Sequence, residues 1–521
     1  RLLIAPNLSS LSQVVSHRTM IVYFLTGLAT VAYCLYLYFT RTFNHWKSQN
    51  VAGPKPVPFF GNLMDSTLRR EPIMTVMRKI YDAFPEEKVV GIYSMTSPNL
   101  MIRDPDIIKQ VMIKDFDYFV DRGVTFDKEG LGVNLFHADE KVWRILRNKF
   151  TPLFTSGKLK NMTPLMINGA DNFIKYVEDL AQKQPEQNVT QLVQKYTMTT
   201  IASCAFGLDL DLIKDSDTMS TLMEIDQKIF TVNFAFELDM MYPGILNKFS
   251  LFPAEVTKFF LGLVKQVVTA RKGMPTGRKD FMDLILELKQ ANEVQGTKRT
   301  ENDETRTLEI TENVMAAQAF VFYAAGYETS ASTMSYLLMQ LALNPDIQNK
   351  TVAEIKEVLK RHDDTVTYDA LKEMVYLERV FDETLRMYPI VDPIQRRVNA
   401  DYKIPGTDVT LKEKQIVKLS VSGLHHDEKY WPNSSKFDPD RFTPENSADR
   451  HSAVYMPFGI GPRNCIGMRF AKMQSRVCVV KLLQRFRLEA TDHTRRNFRY
   501  NPKRIVLAPL GGFNINLLPR E

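Results

Sequence analysis

Near the carboxyl end the chain reads Met456-Pro-Phe-Gly-Ile-Gly-Pro-Arg-Asn-Cys-Ile-Gly-Met-Arg-Phe470. Phe458, Gly461, Arg463, Cys465 and Gly467 stand there in the order F-x-x-G-x-R-x-C-x-G. A cysteine thiolate is a soft, electron-rich ligand for a transition metal. The glycines allow tight turns and close approach of backbone to a flat ligand. Helical spacing from Gly467 onward puts Cys465 just before or at a helix amino terminus. Unpaired N–H groups there favour thiolate over thiol, and hydrogen bonds to the sulfur tune a bound metal. Phe458 can cover one face of such a site, and Arg463 can neutralise an anionic group on the ligand. A lone cysteine is more often a buried structural thiol. Here five specified residue types coincide, and at about one in twenty per position chance gives this on the order of once in several thousand chains.

The pattern resembles the haem-binding loop of the cytochrome P-450 family, which implies haem b (iron protoporphyrin IX) with Cys465 as the ligand of its iron. Other stretches are similar to the family's landmarks and follow in its order from Pro54 to Phe513. Ala325-Gly326-Tyr327-Glu328-Thr329-Ser330 looks like the oxygen-activation sequence. The resemblance implies that Ala325 and Gly326 leave room for bound O2, that Thr329 hydrogen-bonds its distal oxygen, and that Glu328 relays protons from solvent. Trp143-x-x-x-Arg147 resembles the helix that donates hydrogen bonds to a haem propionate. A further propionate partner is expected in Ile390-Val-Asp-Pro-Ile-Gln-Arg-Arg397; reading inward from both flanks favours Arg396 and leaves Arg397 open. Glu383 and Arg386, a helical turn apart, together with Arg441 in Pro439–Phe442, resemble the family's structural ion cluster. The wording of Arg147–Gly157 and Asp280–Leu286 is similar to insect microsomal members that metabolise foreign compounds. One departure is His137-Ala-Asp-Glu140, where relatives often carry a small-residue turn.

These groups need a scaffold. Apolar residues at three- and four-residue spacing predict helices over Trp143–Phe150, Gln191–Phe206, Asp280–Lys289, Ile310–Leu343 and Asp369–Met387. Short β-rich pieces lie at Val89–Tyr93, Asn99–Ile102, Gln415–Val421 and near the carboxyl end. The expected class is mainly α with a small β region, and the resemblance implies the P-450 fold. Gln290–Glu309 is polar and reads as an exposed loop. Phe230–Val264, rich in Phe with Met240, Met241, Tyr242 and Leu251, reads equally as core or as a surface that dips into lipid or lines an entry channel.

Met20–Thr40 carries no charged residue. Roughly 20 such residues suffice for a helix to cross a bilayer, so a single transmembrane signal-anchor is expected over 20–40. Tyr33, Tyr36, Tyr38 and Trp46 suit an interfacial aromatic belt. Arg41, Lys47 and Lys55 place the following body on the cytoplasmic side. No A-x-A cleavage site closes the run. Residues 1–19 read as a leader of doubtful origin, with Met20 as the expected natural start. Residues 41–60 read as a proline-rich linker holding the body at a fixed angle, and 61–521 as the haem-thiolate catalytic domain.

Composition narrows the classes. With 44% hydrophobic and 24% charged residues the chain is neither disordered nor fibrous. A net charge of +7 over 521 residues fits a basic patch facing an acidic protein or anionic membrane, not a nucleic-acid groove. The four cysteines include no C-x-x-C pair, which argues against a zinc site or redox dithiol and places the body in a reducing compartment.

The expected function is a haem-thiolate monooxygenase that inserts one atom of O2 into lipophilic substrates, xenobiotics such as plant toxins or insecticides, using electrons from NADPH through a reductase. The expected site is the endoplasmic reticulum membrane, with the catalytic domain facing the cytosol. Lys141, Arg144, Lys149, Arg469 and Lys472 are expected to form a basic docking face for the acidic NADPH-cytochrome reductase. Cytochrome b5 and membrane lipid are further expected partners. Segments Gly123–Phe126, Val232–Phe236, Phe322–Tyr323, Val391–Ile394 and Leu510–Phe513 are expected to line an apolar pocket. The alternatives are a hydroxylase of an endogenous hormone or fatty acid, a haem-thiolate isomerase or dehydratase, a non-catalytic haem-binding protein, and a membrane-tethered scaffold.

Overall fold

The computed structural model describes residues 8–124, 130–212, 216–231, 252–290, 293–295, 307–494 and 498–520. Helix α1 (Leu8–Thr40) opens the chain. Its part from Thr19 to Thr40 has a mean hydropathy of 1.8 and none of it is buried, so it is long and apolar enough to cross a membrane. The residues just after it do not trail away as a free linker. Trp46 is 3% exposed. Its indole N–H donates to the Ile92 carbonyl at 3.1 Å and its backbone N–H to the Tyr93 hydroxyl at 3.2 Å. Position 91 is glycine because a Cβ there would strike the Trp46 ring. Trp46 is therefore a plug in the sheet and not a member of an interfacial belt, correcting the expectation for it. Asn62 fixes the proline-rich stretch in the same way, donating to the Pro54 carbonyl at 3.2 Å and accepting from the Tyr93 N–H at 2.7 Å.

The sheet that receives Trp46 has four strands. β1 (Val89–Ser94) and β2 (Ser97–Ile102) form an antiparallel hairpin. A smaller sheet, three strands wide, includes β3 (Glu186–Asn188). β4 (Ile394–Arg397) and β5 (Ile416–Leu419) complete the first, in the order β1-β2-β5-β4. β6 (Phe486–Ala490) and β7 (Asn514–Pro519) complete the second, in the order β6-β7-β3.

Helices make the rest. α2 (Glu140–Phe150) is capped by Asp139, whose carboxylate accepts the Val142 N–H. α3 (Val189–Ile201) continues through a π turn to Phe206 and stops at Gly207, whose φ of +70° ends it. α4 (Ser216–Phe230) leads to residues outside those described. α5 (Glu312–Leu343) is apolar on all sides and almost wholly buried, which makes it the central helix. The predicted helix over Asp369–Met387 is two, Tyr368–Glu373 and α6 (Val375–Met387). The break has a cause that local spacing does not reveal: the Glu354 carboxylate takes the N–H groups of Tyr376 and Leu377 at 2.6 and 2.8 Å, capping a new start. α7 (Met468–Arg485) follows the cysteine loop.

Two further expectations are revised. Within Gln290–Glu309, Glu293–Gln295 pairs with Thr307–Glu309 as a small antiparallel ladder. Within Phe230–Val264, Phe252 and Phe260 lie 4.7 and 5.2 Å from Phe320, so these two serve the core. Val232–Phe236, Met240, Met241, Tyr242 and Leu251 lie outside the described residues, as do Thr125 and Phe126.

Candidate active site

The cysteine loop is shaped by backbone it could not approach with larger residues. Gly459 and Gly461 have φ of +74° and +78°, and a Cβ at Gly461 would strike the Met112 carbonyl. The Cys465 N–H donates to the Phe458 carbonyl at 2.8 Å and closes the turn. Arg147 of α2 fastens the loop, donating to the Asn464 carbonyl at 2.9 Å and to its side-chain oxygen at 2.7 Å. Gly467 is the N-cap of α7, so Cys465 does precede a helix amino terminus.

The Gly467 N–H reaches the Cys465 sulfur, and the charges of Arg122 and Arg147 also favour a thiolate. Desolvation by the surrounding protein outweighs all three and pushes the thiol up, although the side chain itself is open to solvent. A coordinated cation would hold this sulfur as a thiolate, because metal ligation deprotonates a thiol outright.

Beside the sulfur lies a cluster of like charges. Arg396 and Arg463 are 1% and 2% exposed. Burial lowers Arg122 to about 10, with repulsion from Arg147 adding to it. Burial and then repulsion from Arg122 lower Arg463 to about 9. Burial and then repulsion from Arg122 and Arg463 hold Arg396 well below the usual guanidinium range. Arg463 donates to the Val120, Phe136 and Ala138 carbonyls and lies 4.9 Å above the Trp143 ring. Arg122 lies 4.2 Å over Phe136, and Arg396 donates to the Gln395 carbonyl at 2.8 Å. The Nε atoms of Arg122, Arg396 and Arg463 have no hydrogen-bond partner among the described residues. Asp121, 3.9 Å from Arg463, is already engaged by Arg397 at 2.6 Å. Alternation along β4 puts Arg396 on the buried face and Arg397 toward solvent, and only Arg396 is left wanting an anion.

Arg122 was not anticipated, since Asp121-Arg122-Gly123 matches no motif and only the fold brings it to Arg463. His137 was noticed only as a departure. Burial, then the charges of Arg122 and Arg463, pushes its imidazole down to about 3, and it bonds Asn134 at 2.8 Å.

On α5, Ala325 is exposed and Thr329 half-buried although the helix around them is buried. The Thr329 hydroxyl donates to the Ala325 carbonyl at 2.6 Å. A Cβ at Gly326 would meet Ile201 at 2.8 Å, so the missing side chain also admits α3. Glu328 is 1% exposed and not free. It accepts from Arg504 at 2.6 Å and from Gln194 at 3.2 Å. Arg504 belongs to no motif and was missed. Phe322 packs on Phe154 and Phe281 at 5.6 and 4.1 Å, and Tyr323 packs on Phe260 at 5.5 Å. Both were expected to line a pocket, and both are used in helix packing. Val391 and Leu510 are exposed.

Behind the loop, Glu383 and Arg386 are fully buried and paired at 2.7 Å, with Arg441 3.3 Å from the same carboxylate. Arg386 also donates to the His425 and Ser434 carbonyls, both at 2.8 Å. On the surface beside it, Lys141, Lys149 and Arg469 are exposed and have no ion-pair partner among the described residues. Arg144 is neutralised by Asp117 and Glu140 at 3.0 and 2.8 Å, and Lys472 by Glu378 and Asp382 at 3.0 and 2.9 Å. Those two do not contribute free charge to a docking face, which reduces the expected set to three.

A soft sulfur, a glycine-backed loop and guanidinium groups short of anions fit an iron porphyrin with two carboxylates. A family model described as Cytochrome P450 matches residues 51–515. The chain is 56% identical to cytochrome P450 6B2 of Helicoverpa armigera over 96% of its own length and 99% of that protein. It is 55% identical to cytochrome P450 6B1 of Papilio polyxenes, over 96% and 100%. With cytochrome P450 6a2 of Drosophila melanogaster it shares 35% over 96% and 99%. Identity at this level across nearly the whole length leaves one assignment, and the chain belongs to the cytochrome P450 family of haem-carrying monooxygenases.

Proposed function

We propose that this monooxygenase oxidises lipophilic foreign compounds, plant toxins or insecticides among them, with electrons drawn from NADPH through a flavoprotein reductase. Its place in this reading is the endoplasmic reticulum membrane, held by α1 with the body on the cytosolic side. The observation that carries the reading is the Cys465 sulfur, approached by the Gly467 N–H and flanked by Arg122 and Arg147. High identity to insect P450 6B proteins supports the foreign-compound class.

When bound, haem supplies the reductive activation of O2 and the insertion of one of its atoms into a C–H or C=C group. Cys465 would ligate the iron, and Arg122, Arg396 and Arg463 would neutralise the propionates, with Trp143 bracing Arg463. Arg147 and the Phe458 carbonyl keep the sulfur in place through Asn464 and the Cys465 N–H. The Thr329 hydroxyl, beside the accessible Ala325, would offer a hydrogen bond on the O2 side of the site, and Glu328 would relay protons toward it.

The test is a reduced, carbon-monoxide difference spectrum of the purified protein. A strongly red-shifted Soret band is expected, and Cys465→Ala abolishes it. Protein reconstituted with reductase and NADPH is then offered lipophilic plant compounds alongside fatty acids and steroid hormones. Turnover confined to the last two would overturn the substrate reading.

A further inference from the structure

The ion pair that holds Glu328 contains a second carboxylate. Arg504 Nη2 lies 2.6 Å from Glu328 Oε1 and 3.2 Å from both oxygens of Asp226. The side chains of Arg504, Asp226 and Glu328 are 7%, 4% and 1% exposed. Three separate elements meet here. Asp226 comes from α4, Glu328 from α5, and Arg504 from the loop before β7. That loop is pinned to the end of α4 by the Ile505 N–H on the Phe230 carbonyl at 3.1 Å and by a bridge between Thr231 and Arg504.

We propose that Asp226 and Glu328 share one proton across Arg504, and that Asp226 is the residue which recharges Glu328 during turnover. This rests on the reading of Glu328 given above and extends it to the donor behind it.

The charge count is the first argument. Two ionised carboxylates against one guanidinium would leave a net negative charge away from water, which is costly. Two carboxylates held on one site keep a proton between them. Among the described residues the neighbouring elements leave that balance unchanged. Gln194 of α3 is neutral and donates to Glu328 Oε2. Tyr323, Tyr327 and Tyr336 of α5 stay as phenols, because burial raises each well above its ordinary value. Among the described residues no second cation pairs with either acid. Burial, then the charge of Glu328, raises Asp226 to about 7.

Transfer of the proton also changes what holds Glu328. When the proton passes from the Asp226 carboxyl to the Glu328 carboxylate, the negative charge passes the other way. Arg504 then pairs with Asp226, and the cluster remains neutral. A neutral Glu328 loses its charge-assisted bond to Arg504 and is released from it. The proton thus loosens the residue that must carry it on. Arg504 Nη1, buried with no partner among the described residues, is a donor to which the Asp226 carboxylate can move. After Glu328 gives its proton up, the cluster is one proton short and carries a net negative charge. A proton from bulk water on Asp226 restores it.

The experiment uses the holoenzyme and the variants Asp226→Asn, Asp226→Glu and Glu328→Gln, each first shown by its carbon-monoxide spectrum to hold haem as the parent does. Infrared difference spectra across neutral pH should show a protonated-carboxyl band that bleaches near 7. Asp226→Asn should remove this titration and Asp226→Glu should restore it. The pH midpoint of coupled, NADPH-driven turnover should move by about one unit in Asp226→Asn. Glu328→Gln should lower coupling on the order of 10²-fold. A band and a pH profile unchanged in Asp226→Asn, with coupling lost in Glu328→Gln, would overturn the inference and leave the Glu328 reading standing. Full coupling in Glu328→Gln would overturn the reading of Glu328, whatever Asp226 does.

Discussion

The imidazole of His425 accepts the Met456 backbone N–H at 3.0 Å, which fixes Nε2 as the unprotonated nitrogen. The other ring nitrogen then carries the hydrogen and donates to the Arg386 carbonyl at 3.2 Å. One buried ring therefore joins the Glu383–Arg386 pair to the first residue of the cysteine loop. Replacing His425 with Phe leaves two backbone groups unpaired, at about 1–3 kcal/mol each. The expected outcome is a lower melting temperature and a carbon-monoxide band that drifts from the thiolate position on standing. His425→Gln, which can bond one of the two groups, should lie between. An unchanged band in the Phe variant would show that the loop needs no such strut.

Acid should destabilise this fold early. Burial, then neighbouring cationic side chains, pushes His137, His425 and His426 down to about 3. Unfolded histidine takes up a proton near 6.5. Between those values the unfolded chain binds more protons, so stability is complete above the upper one and lost as pH falls toward the lower. Asp392, raised to about 6 by burial, acts in the opposite direction over a narrower window. Urea unfolding in neutral and in mildly acidic buffer should show the loss, and His426→Gln should flatten it. Equal slopes in parent and variant would contradict the assignment.

Gly326→Ala should cost about 1–2 kcal/mol through overpacking, because the new methyl meets the Ile201 side chain. Ile201→Val made in the same protein should recover part of that loss, a coupling that a double-mutant cycle on thermal unfolding measures. Simple additivity would mean that the two helices do not meet as described.

Charge reversal at Lys141, Lys149 and Arg469 together should slow reductase-driven turnover severalfold, more at low salt than at high. Turnover driven by peroxide should be spared. Lys472→Glu should instead show its effect in stability, since that side chain is held by Glu378 and Asp382. Parallel loss in both assays for the triple variant would remove the docking face from this surface.

The cysteine loop was legible in the chain because its five specified residues act on one another within a dozen positions. Cys465, Arg463 and Phe458 could be read as a unit without knowing the fold. Arg504 could not, lying 176 residues from the Glu328 that it holds. Arg122, Asp226 and His425 were hidden for the same reason, each taking its meaning from a distant segment. At Gly326 the local pattern marks a small residue but does not say that Ile201 of α3 also requires it. Trp46 misled in a similar way, since an aromatic after an apolar run suits a lipid interface until a strand with a glycine is seen to accept it. Arg396 was separated from Arg397 only by the two-residue period of β4.

The seat of Trp46 also decides where this protein can be cut. Phe43 belongs with it, since its carbonyl accepts the Tyr93 hydroxyl at 3.1 Å and its ring lies 5.2 Å from the Tyr93 ring. A shortened version starting at Arg41 keeps both aromatic pegs and should behave as a well-folded domain in detergent-free buffer. One starting at Val51, where a family alignment begins, would pull a plug from the strand pair and open a hole against Gly91. Engineers seeking crystals should trim by the peg, not by homology.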